Sequence, residues 1–188
     1  ENIEEPEPKD LFEFGILGEV MQMLKMPDGN VRAVIEARGR CEVVEYSSLE
    51  APFLGAAVLP VKEKRAPAKN DASAETLLRR LKTDFETAVN LSKKIPPEVL
   101  QSAQSVDKLS TLSDLVISYL DSSVEDRQKG LEIAAPLERA QFAVEMLARE
   151  LQVLELDKEL DVQVREGMNE NQREYFLRER MKAIQEKL

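Results

Sequence analysis

The chain has 188 residues, 43% of them hydrophobic, which is enough for a core and for one or two domains. A net charge of −10, from 36 acidic against 26 basic side chains, argues against an extended nucleic-acid surface, which needs clustered Lys and Arg. The single cysteine, Cys41, excludes an internal disulfide and reads as a small buried hydrophobe, and no apolar run approaches the roughly 18 residues needed to cross a bilayer.

Residues 1–10 are acidic and proline-containing, and are expected to lie outside any packed element. Strand signals then run to residue 61. Pro27-Asp28-Gly29-Asn30 separates two β-capable runs, a hairpin signal because Gly takes positive φ without steric cost. Val31, Ala33, Ile35 and Ala37 alternate with polar residues, which predicts one buried and one wet face. Gly39 is read as a turn into "RCEVVEY", and "PFLGAAVLPV" as a further strand, so four antiparallel strands are expected.

"KEKRAPAKNDA" (62–72) lacks periodicity and reads as a linker; it holds the main basic cluster, Lys62, Lys64, Arg65 and Lys69. From Ser73 the period becomes helical, with Leu77, Leu78, Leu81, Phe85 and Ala88 on one stripe and Pro96-Pro97 ending it. Asp107 is a plausible N-cap for a second helix lined by Leu109, Leu112, Leu115, Val116 and Tyr119. Ser122 with Glu125 suggests a capping box for a short helix reaching about Ile133.

Pro136 suits a helical first turn, and beyond it there is no proline and one glycine, Gly167. A helix over 136–188 would be about 80 Å long, against a radius of gyration of roughly 16 Å for a compact chain of this size. Most of it must therefore project. Leu137, Ala140, Val144, Leu147, Leu151 and Leu154 keep a heptad-like stripe; it changes phase and resumes at Leu156, Leu160, Val164 and Met168, then at Leu177, Met181, Ile184 and Leu188. The first part is expected to pack on the helices. Leu160, Val164, Leu177, Met181 and Ile184 are expected to meet another chain.

The reading is α+β. A small antiparallel β domain (1–61) and a linker (62–72) precede a helical bundle (73–134) and a very long projecting helix (135–188), able to form a coiled coil. No G-x-x-x-x-G-K-S/T is present, so no P-loop cradles phosphate, and the lack of histidine excludes Ser-His-Asp, Cys-His and most zinc sites. In "REYFLRERMK" glutamates interleave with arginines, which suggests intrahelical pairs more than a nucleic-acid patch. Met21 and Met23 are placed opposite the face of Ile16, Val20, Leu24 and Met26. Flexible thioethers there suit promiscuous apolar contacts, and the competing reading is that a second layer buries them. Met168 and Tyr175, about 10 Å apart on one helix face, are either coiled-coil contacts or anchors for an extended polypeptide.

"VREGMNENQREYFLRERMKAIQ" (164–185) resembles the helix that leads into the ATPase module of Lon-type ATP-dependent proteases. "LKMPDGNVRAVIEARGR" (24–40) resembles that family's N-terminal β domain, and "GAAVLPV", "SKKIPPEV" and "DLVISYL" follow in the family's order. The family's opening strands with their "PL-R" motif do not occur here, and neither do its nucleotide-binding and Ser/Lys protease domains. The resemblance implies an N-terminal segment without catalysis of its own, from a cytoplasmic, homohexameric AAA+ serine protease that binds ATP and Mg in a downstream domain. It implies recruitment of unfolded or damaged proteins, for which the residues themselves offer Met21, Met23, Met26, Met168 and Tyr175 as candidate contacts, and assembly of subunits, for which the long helix is the candidate; no membrane partner is expected, and the net charge disfavours nucleic acid. The competing class is a coiled-coil spacer that binds no client.

Overall fold

A computed structural model of the chain describes residues 7–47, 53–65, 67–68 and 71–185. A short 3-10 turn, Pro8–Asp10, leads into β1 (Phe14–Lys25), β2 (Val31–Ser47) and β3 (Gly55–Pro60), which form one antiparallel sheet in the order β1-β2-β3. Five helices follow: α1 (Ala72–Leu91), α2 (Val99–Ser105), α3 (Leu109–Tyr119), α4 (Val124–Glu132) and α5 (Pro136–Gln185). The turn between β1 and β2 forms where Asp-Gly predicts it. Gly29 takes φ +87°, and the Asp28 carboxylate accepts the Asn30 backbone N–H at 3.0 Å. These bonds hold the Asp28 carboxyl below its ordinary pKa.

Among the described residues three strands form instead of the expected four, because β2 runs straight through Gly39. Leu17 pairs with Gly39 and Gly18 with Ala37, which leaves Arg38 as an extra residue in β2. A bulge absorbs what was read as a turn, bending the strand without ending it. A second irregularity, at Met21, lies between the pairs Val20–Ile35 and Gln22–Val34. It reverses the side-chain alternation beyond it. Met23 pairs with Ala33, which lies two residues from Ile35 along β2, so Met23 shares a face with Val20 and Ile35, and Leu24 pairs with Arg32. The expected face of Val31, Ala33, Ile35 and Ala37 is not buried: all four are exposed, because no second layer among the described residues packs on it.

The core lies in the helices. Leu81, Phe85, Ala88 and Val89 of α1 meet Leu112, Val116 and Ile117 of α3 and Ala140, Ala143 and Leu147 of α5. Asp71 starts α1, its carboxylate accepting the Ser73 and Ala74 N–H groups at 2.9 and 3.2 Å. The short α2 was not foreseen; Val99 and Ala103 fasten it to the core. Asp107 does not cap α3: Lys108 holds that position without a side-chain bond, and the Asp107 carboxylate lies 3.7 Å from the Lys82 ammonium. Ser123, one residue beyond the expected Ser122, caps α4 by accepting the Asp126 N–H at 3.1 Å. Tyr119 is exposed, and Ile117 is buried in its place. The segment before α1 is tied down, the Lys64 N–H donating to the Ala134 carbonyl at 3.1 Å.

Pro136 opens α5, whose 50 residues span about 75 Å at 1.5 Å each. The proximal turns form the central strut of the bundle: Ala140, Val144 and Leu147 are buried, and Leu137, Leu151 and Leu154 half-buried. From Glu155 to Gly167 every residue is exposed. No helix among the described residues is long and apolar enough to cross a membrane.

Candidate functional site

The sheet meets the helices through charge more than through hydrophobic packing. Arg40 leaves β2 and donates from Nε to the Leu131 carbonyl at the end of α4 at 3.0 Å, and from Nη1 to Asp114 of α3 at 3.2 Å. From the other side Arg139 of α5, fully buried, donates from Nη1 to both Asp114 oxygens at 3.1 Å and from Nε to the Ile133 carbonyl at 2.9 Å. One carboxylate thus joins two guanidiniums from elements far apart in sequence. Arg139 must be held this way because a buried charge without partners is costly. Nearby, burial pushes the Glu63 carboxyl up, but hydrogen bonds from the Ser110 hydroxyl and the Lys108 ammonium outweigh it and keep the group below its ordinary pKa.

Above this knot lies a groove of about 980 Å³ between sheet and helices. Phe12, Ile16 and Ala37 form its sheet-side wall, and Ile117, Val124 and Leu131 its helix-side wall. The Gln128 amide donates to the Phe14 carbonyl at 3.1 Å and closes one end. The groove opens onto the face of β1 and β2 that carries Ile16, Val20, Met23 and Ile35, each 55–63% exposed. A trough lined by apolar and charged side chains together, Arg38, Glu63, Lys108 and Arg127 among the latter, beside an uncovered apolar sheet suits extended polypeptide, which presents both side chains and backbone. Among the described residues no group of His, Cys, Asp and Glu is arranged to hold a metal ion.

The residues predicted from sequence are only partly gathered here. Met21, Met23 and Met26 are exposed but lie further along the hairpin than the groove. Met21 sits at the bulge, and the Met26 N–H donates to the Asn30 carbonyl at 2.8 Å in the turn. Leu160, Val164, Tyr175, Leu177 and Met181 are exposed on α5, whereas the side chains of Met168 and Ile184 lie outside the described residues. Cys41 is buried as expected. Sequence reasoning missed Arg40, Asp114 and Arg139. A charge within an apolar helical stripe was the available signal for the last two, but nothing local pairs residues 25 and 74 positions apart.

The profile of the ATP-dependent protease La (LON) substrate-binding domain matches residues 1–149. The chain belongs to that Lon family. The Lon protease of Heliobacterium modesticaldum is 37% identical over 185 residues, covering 98% of this chain and 22% of its own length. That of Brevibacillus choshinensis is 36% identical over 187 residues, covering 100% of this chain and 24% of its own length. This chain therefore spans less than a quarter of either Lon relative. Among solved structures, the N-terminal domain of Mycobacterium avium complex Lon protease superposes with a TM-score of 0.59 at 20% identity, over 72% of this chain and 70% of that one. That likeness bears on the fold. The Lon assignment rests on the profile, and the relatives agree with it along α5 beyond the profile's last matched residue.

Proposed function

We propose that this chain recruits unfolded or damaged proteins for a Lon-like ATP-dependent serine protease and passes them toward the ATPase motor. The uncovered apolar face of β1 and β2 carries the reading. An exposed contiguous apolar surface in a folded protein marks an interaction site, and Ile16, Val20, Met23 and Ile35 form one that continues into the groove. The apolar part of this surface selects for exposure of apolar side chains, which a folded client hides. Met21 at the bulge and Met26 in the turn are further candidate contacts on the hairpin, and Met168 and Tyr175 are candidates along α5. By its family, the whole protein would be a cytoplasmic homohexamer, with ATP and Mg held by a domain outside this chain.

The test is titration of the chain with α-lactalbumin unfolded by reduction and carboxymethylation, and with the native form. The unfolded form alone should bind, and Ile16→Ser/Val20→Ser/Ile35→Ser should weaken binding at least tenfold, roughly the contribution of one fully buried aliphatic side chain. Unchanged affinity in the triple variant would move the client site off the sheet. The exposed length of α5 also favours a second reading, a coiled-coil spacer. That reading gains if neither form binds while self-association persists.

A further inference from the structure

The charges in the groove do not balance, and the surplus lies on one side. Lys108 pairs with Glu63 at 3.2 Å, and Arg38 with Glu19 and Glu36 at 2.6 and 3.2 Å, so these two cations are neutralised. On the helix side Arg40 and Arg139 share the single carboxylate of Asp114. Arg127 of α4 lines the same groove and is exposed. Among the described residues no carboxylate pairs with it. Its Nη2 donates to the Ser122 carbonyl at 3.0 Å, and Asp121, close enough to interact with it, is bonded to Lys94 instead. Arg40, Arg139 and Arg127 against Asp114 are three cations to one carboxylate, a net of +2 in a chain whose net charge is −10.

Around Arg127 the wall is apolar. Val124, Arg127, Gln128 and Leu131 all line the groove, and they fall within an arc of about 100° on α4. Val124 stands about one turn before the guanidinium and Leu131 about one turn after it. The other charged groups of α4 are not among the lining residues. Asp126 lies 3.9 Å from Arg149, Glu132 accepts from the Gln128 amide at 3.0 Å, and the Lys129 ammonium stands over the Phe142 ring. One uncancelled cation is thus set between two apolar side chains, in a cleft that concentrates its field. An extended chain repeats the side chains of one face every ~6.6 Å. The rises from Val124 to Arg127 and from Arg127 to Leu131 are ~4.5 and ~6 Å, within reach of that spacing.

We infer that the groove prefers client segments of the pattern apolar-x-acidic-x-apolar, the carboxylate lying on Arg127 and the apolar side chains beside Val124 and Leu131. The inference rests on the recruitment of unfolded clients proposed above and names the chemistry of the segment taken. The occupant is acidic peptide because the surplus here is positive, whereas the rest of the chain is strongly negative and repels such a client elsewhere. Apolar contact alone would make no distinction between an acidic, a neutral and a basic centre.

The probes are the fluorescein-labelled peptide Gly-Phe-Ser-Glu-Ser-Leu-Gly and its variants with Gln or Lys in place of Glu, titrated with the chain by fluorescence anisotropy. The Glu peptide should bind about fivefold more tightly than the Gln peptide, the upper end for a pair open to water, and the Lys peptide more weakly than both. Added NaCl should shrink the preference. Arg127→Gln should erase it while leaving the affinity for the Gln peptide unchanged, and Arg127→Lys, which keeps the charge, should retain it. Arg127 is exposed, so both variants should fold, which circular dichroism checks. Equal affinities for the Glu and Gln peptides, or a preference that survives Arg127→Gln, would overturn the inference. So would failure of every peptide while unfolded α-lactalbumin still binds, and in each of these cases the recruitment reading stands. Failure of the peptides and of α-lactalbumin together would sink both. Displacement of the Glu peptide by single-stranded oligothymidylate would assign the groove to nucleic acid instead.

Discussion

Replacing Asp114 with alanine removes the acceptor shared by Arg40 and Arg139. Their situations differ, and that sets the size of the effect. Arg40 keeps its bond to Leu131 and some access to water, its side chain being 19% exposed. Arg139 is wholly buried; among the described residues it keeps the Ile133 carbonyl alone, and its Nη2 has no partner there. Breaking a buried pair by removing one member costs about 3–5 kcal/mol. The Asp114 side chain is itself 38% exposed, so water can partly replace it, and the lower end, about 3 kcal/mol, is expected. In a chain of this size that corresponds to a fall in Tm of about 6–12 °C. Urea unfolding followed by circular dichroism measures it. The decisive comparison is Asp114→Ala/Arg139→Met. If the cost comes from a stranded cation, removing the cation should recover most of the loss, within about 1 kcal/mol of the parent chain. A double variant as unstable as Asp114→Ala alone, or a single variant losing under about 1 kcal/mol, would refute the reasoning.

Two smaller effects are also expected. Asp71→Ala removes the N-cap of α1 and should cost about 1 kcal/mol, whereas Asp107→Ala, at a position that caps nothing, should leave the urea midpoint unchanged. The Glu150 carboxyl is raised above its ordinary value of 4.5 by burial first, with Asp121 and Asp157 adding and Lys94 opposing. The folded state therefore holds this proton more tightly than the unfolded chain, so stability falls as pH rises through the window above 4.5. Glu150→Gln should melt higher than the parent at neutral pH, with the gain vanishing below the window. Thermal melts across pH check this, and an equal gain at every pH would refute it.

The helices were legible because their burial is local and periodic. Leu81, Phe85, Leu112, Ala140 and Leu147 were placed by spacing alone, and each is fully buried. The hairpin was legible because Asp28 and Gly29 carry their own backbone instructions. The sheet was harder, for a definable reason. A single extra residue changes which side a strand presents, and neither Arg38 nor Met21 announces itself as a bulge. Gly39 suggested a chain reversal because glycine permits one, but permission is not requirement when β1 lies alongside to keep pairing. Arg40, Asp114 and Arg139 were illegible as a group because their contact is purely tertiary: each is an ordinary surface residue type until the fold brings the three together.

The bundle and the projecting rod share one uninterrupted backbone, so they cannot be displaced independently. Phe142, Met146 and Leu147 anchor α5 among its neighbours, and its far end stands tens of ångströms away on the same hydrogen-bonded ladder. A tilt of about 5° at the anchor sweeps the tip, about 57 Å beyond Leu147, through about 5 Å. Force applied at the tip is conversely magnified at Ala140 and Val144, where close packing resists it. The molecule is thereby a lever whose fulcrum is its own hydrophobic core.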